Sequence, residues 1–86
     1  GYSIMKFKVK ISEGWRTPGL EGIRGGIAPL MIEADSAEEA AEIFVTVGKE
    51  KAPDVTTWFV LVECPERRIS TYKVEASQLL AFLLFS

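Results

Sequence analysis

Residues 5–11 alternate without a fault. Met5, Phe7, Val9 and Ile11 fall on one side, and Lys6, Lys8 and Lys10 on the other. Successive side chains of an extended strand point to opposite faces, so this run predicts a strand with one buried and one wet face. A row of lysines also suits an edge strand, where charge discourages unwanted pairing. A second strand is predicted over residues 27–34. Leu30, Ile32 and Ala34 share one face of it, and Met31 and Glu33 share the other. Pro29 has no backbone N–H to give a neighbour, which fits a strand beginning or an edge.

The period then changes from two to 3.6. Ala37, Ala40, Ala41, Phe44 and Val47 follow helical spacing with Ile43 beside them, while Glu38, Glu42 and Lys49 take the opposite side. Ser36 and Glu39 have the spacing of a capping box, in which the Ser36 hydroxyl accepts the Glu39 N–H. Asp35, Glu38 and Glu39 place negative charge at the positive end of the helix dipole. The acidic run is therefore a helix start rather than a catalytic cluster. Gly48 weakens the last turn, and Pro53 limits the helix.

Residues 55–64 are rich in β-branched and aromatic side chains. Trp58, Val60, Val62 and Cys64 line one face, and Phe59 and Leu61 line the other. A strand apolar on both faces belongs in the middle of a sheet, and something has to cover its second side. Pro65, Glu66 and Arg67 make a turn, and residues 68–75 form a fourth strand, giving a hairpin. Ser70, Tyr72 and Val74 face one way along it, opposite Ile69, Thr71 and Lys73.

The chain closes on residues 76–86, in which positions 79–85 carry no polar side chain. This segment is too short to span a bilayer and too apolar all round for a helix with one buried face. Its Leu and Ala content predicts a helix. The expected architecture is one α+β domain over residues 1–86. It is a two-layer sandwich: a mostly antiparallel sheet of about four strands, in ββαββα order, with helices packed on it. Met5 reads as the natural start, with residues 1–4 a remnant of expression.

Composition narrows the chemistry. At 86 residues there is room for one core, and 48% hydrophobic residues is ordinary for a folded domain. The chain has no histidine and one cysteine, Cys64. That removes His-based triads and His ligands, leaves too few thiolates for a zinc site, and allows no internal disulfide. No catalytic, cofactor-binding or metal-binding residues are assigned, and no enzymatic activity or cofactor is expected. The expected location is the cytoplasm, with no membrane span and no signal peptide.

Residues 13–27 interrupt the pattern as a long glycine-rich loop carrying Trp15, Arg16 and Arg24. It matches neither a phosphate-binding P-loop nor a dinucleotide fingerprint. Two functions follow as expectations. The first is a non-enzymatic interaction domain that assembles with itself or another protein. Its candidate interface is Phe59 and Leu61 with Leu79, Leu80, Phe82, Leu83, Leu84 and Phe85, because contiguous apolar surface marks an interface. The alternative is a nucleic-acid-binding module. There Lys6, Lys8, Lys10, Arg16 and Arg24 meet phosphates and Trp15 stacks on bases, although a net charge of −2 argues against it.

Overall fold

The alternating segments pair into one sheet and the 3.6-period segment packs across it. The computed structural model describes residues 4–12 and 27–75. Within them the order is β1 (Met5–Ile11), β2 (Leu30–Ala34), α1 (Ala37–Gly48), β3 (Thr57–Glu63) and β4 (Ile69–Glu75). The sheet is four-stranded and antiparallel in the order β2-β1-β3-β4. This is a small α+β fold with one helix on the sheet among the described residues. The second helix expected over residues 76–86 and the loop residues 13–26 lie outside the described residues.

β3 is an interior strand, as its two apolar faces require. β1 is interior as well, paired with β2 on one side and β3 on the other. The edge placement that its lysines suggested is therefore not the one found: they line one face of an interior strand. β2 and β3 both run antiparallel to β1 and so parallel to each other. α1 makes the crossover between them, passing over β1.

Helix α1 starts where its cap predicts. Ser36 has extended backbone, with φ −148° and ψ 161°, and its hydroxyl accepts the Glu39 N–H at 3.2 Å. Its buried stripe is Ala37, Ala40, Ala41, Phe44, Val45 and Gly48. Val47, which the spacing assigned to the core, is 47% exposed, whereas Val45 is fully buried. The stripe advances by pairs, 40–41 then 44–45, and residue 48 closes it one turn on.

The core lies between this stripe and the sheet face formed by Phe7, Val9, Ile32, Ala34, Trp58, Val60, Val62 and Val74. Trp58, Phe7 and Phe44 are its largest fully buried side chains. Each contributes about 1.5–3 kcal/mol through burial. The Trp58 indole N–H donates to the Val55 carbonyl at 3.1 Å, so its polar atom is satisfied inside the core.

The β3–β4 turn is a three-residue loop. The Arg67 N–H donates to the Cys64 carbonyl at 3.0 Å, and the Cys64 N–H to the Arg68 carbonyl at 2.8 Å. Arg67 has φ 66°, the left-handed position that follows a tight turn in hairpins of this length.

Candidate functional site

Alternation that buries every second residue also fixes what lies on the opposite side of the sheet. Among the described residues no helix covers that face. The pairing registers set its side chains in rows. Met31, Lys8, Glu63 and Ile69 form one continuous row across β2, β1, β3 and β4. Lys6 lies opposite Glu33 in the neighbouring row. On the other side, Lys10 lies opposite Leu61 and Leu61 opposite Thr71.

The two ends of the first row are large and apolar. Met31 is 64% exposed and Ile69 is 59% exposed. Phe59 and Leu61, the interface candidates from β3, are half-buried on this same face. Beyond them Lys73 and Glu75 form an ion pair at 3.5 Å, and the Thr57 hydroxyl donates to the Glu75 carboxylate at 2.9 Å. The face thus mixes apolar side chains with charges of both signs.

Lys6, Lys8 and Lys10 stand together on this face, as the alternation predicts. Their surroundings are not those of a basic stripe. Two of the three have a glutamate directly across the strand pair: Glu33 for Lys6 and Glu63 for Lys8. Opposite charges so placed stabilise the sheet by roughly 0.2–1 kcal/mol per pair and reduce the potential above it. Met31, Glu33, Glu63 and Ile69 were not singled out as site residues in the sequence. Their alternation was legible, but their common face with the lysines depends on register, which joins residues far apart in the chain.

The remaining candidates are placed as follows. Trp15, Arg16 and Arg24 lie outside the described residues, as do Leu79, Leu80, Phe82, Leu83, Leu84 and Phe85. Cys64 is buried and carries a free thiol. The exposed Arg68 side chain interacts with it, and this raises the guanidinium pKa further above neutrality. Among the described residues, two depressions are lined by core and hairpin side chains. One, of about 120 Å³, lies between the start of β2 and the end of α1, against Leu30, Phe44 and Val47. The other, of about 290 Å³, lies beside the hairpin turn against Glu63, Cys64, Arg67 and Ile69. Neither gathers a set of catalytic groups among the described residues. No cluster of metal-ligating side chains occurs among the described residues, and no helix there is long and apolar enough to cross a membrane. Comparison with protein-family profiles, curated protein sequences and solved structures returns no match.

Proposed function

We propose that the chain is a non-enzymatic interaction domain that assembles with a second copy of itself through the sheet face opposite α1. One observation carries this reading: Met31 and Ile69, both large and apolar, stand more than half exposed on a face that α1 does not cover. Large apolar side chains left exposed on one surface favour burial against a partner. The mixture of lysines and glutamates around them gives each copy both halves of a charge match. Absence of histidine and burial of the one cysteine leave few groups for catalysis. The apolar segment at residues 79–85 belongs to the same reading by its composition.

The test is mass in solution, by light scattering from low micromolar to about 500 μM, a range suited to a weak contact. The expected result is a dimer that forms with concentration. The Met31→Ser plus Ile69→Ser variant should raise its Kd at least about tenfold, through loss of apolar burial at both ends of the face. A folded chain that stays monomeric throughout the range overturns the proposal.

The three lysines on one strand face support nucleic-acid binding as a second reading. The cross-strand glutamates weigh against it. Salt-dependent binding to single- or double-stranded oligonucleotides, lost on changing Lys6, Lys8 and Lys10 to Gln, would put it ahead.

A further inference from the structure

The row Met31–Lys8–Glu63–Ile69 reads apolar, basic, acidic, apolar. Reversed, it reads apolar, acidic, basic, apolar. Laid face to face on its own reverse, the row matches everywhere: apolar meets apolar and each charge meets its opposite. A two-fold axis parallel to the strands, lying above the boundary between β1 and β3, performs this reversal. It carries β1 of one copy over β3 of the other and β2 over β4. Two-fold symmetry is the commonest arrangement for a homodimer, and it requires a self-complementary surface.

Resting on the self-association proposed above, we infer that two copies pack sheet to sheet about this axis, with Lys8 of each over Glu63 of the other and Met31 over Ile69. The alternatives fare worse. A slide by one strand sets Lys8 over Lys8, and like charges brought together at an interface cost several kcal/mol. A two-fold running along the row lays each strand over its own copy, so Lys8 again meets Lys8 and Glu63 meets Glu63. Over the described strands the face measures roughly 19 by 20 Å from strand spacing and rise. That is small beside the roughly 800 Å² that each partner of a stable complex buries. The dimer is accordingly weak, and its register depends on the two symmetry-related charge pairs.

The test uses the full chain with Lys8→Glu, with Glu63→Lys, and an equimolar mixture of the two. Light scattering gives Kd, native mass spectrometry identifies mixed dimers, and urea melts establish that each variant folds. Alone, each variant sets like charges against each other at two places, and its dimer Kd rises at least about tenfold. Mixed, they form a heterodimer. The new carboxylate at position 8 of one chain then meets the new ammonium at position 63 of the other, and the unchanged Glu63 meets the unchanged Lys8. The control pair Glu50→Lys and Lys51→Glu, away from this face, keeps the wild-type Kd. Should either reversal fail to fold, Lys8→Gln and Glu63→Gln replace the pair, and each must dimerise more weakly than wild type. A wild-type dimer that the reversals leave unchanged, or variants that do not recombine on mixing, overturns this axis and leaves self-association standing. A wild-type chain that is monomeric at about 500 μM overturns both.

Discussion

Gly48 ends α1 with the ring of Trp58 directly against its Cα. A Cβ at position 48 would lie 2.9 Å from two carbons of that ring. Trp58 is fully buried and tethered by its indole hydrogen bond to Val55, so the ring has little freedom to withdraw. Glycine is thus required here by the close approach of helix and sheet, and its weaker helix propensity is the smaller consideration.

Gly48→Ala separates the two effects. Helix propensity alone would stabilise by about 1 kcal/mol. Overpacking a filled core costs about 1–3 kcal/mol. The steric term prevails, and we expect net destabilisation by urea unfolding. An increase in stability would show that Trp58 shifts aside freely.

Arg67 occupies the left-handed region with a side chain that disfavours it. Arg67→Gly removes that strain at the third position of the hairpin loop. The expected gain is about 0.5–1 kcal/mol in thermal or urea unfolding, less than the full strain because glycine also frees the unfolded chain. Arg67→Val, β-branched at the same φ, should destabilise.

Glu42 carries its carboxyl pKa above the ordinary value of 4.5, first through partial burial and then through Glu38 and Glu39. The folded state then holds this proton to higher pH than the unfolded state does. Stability from this group is fully present below the ordinary value and is lost as pH rises through the raised one. Glu42→Gln removes that loss. It should stabilise by about 0.2–0.5 kcal/mol at neutral pH, the size of a like-charge pair one helical turn apart, and less in high salt. At pH near 3 the difference should vanish; thermal melts showing an equal gain at both pH values would contradict the assignment.

Much of this fold is written in local pattern. The alternation at residues 5–11 and 57–63, the Ser36 cap and the hairpin turn all depend on neighbours in sequence, and each was legible. The start of the second strand was set too early, because the residues before Leu30 include Pro29, which cannot donate to the ladder. Exchange of Val47 for Val45 in the core reflects the exact angle at which α1 lies on the sheet, which helical spacing leaves open. Register was the largest gap. That Lys8 faces Met31 on one side and Glu63 on the other is a property of three distant segments. The candidate site therefore emerged from the fold, although each strand's faces had been readable separately.

The sheet order carries a consequence for the growing chain. β1 is made first, yet its partner β3 comes roughly fifty residues later, a long loop to close and a slow contact to form. Until residues 57–63 exist, one side of β1 is a bare row of backbone donors and acceptors, open to any other strand. During that interval β1 is an edge, and charge of the kind that Lys6, Lys8 and Lys10 carry disfavours pairing with another strand. The charge that suits an outer strand thus suits a temporary one, and the glutamate on β3 that later faces Lys8 arrives with the strand that ends the exposure.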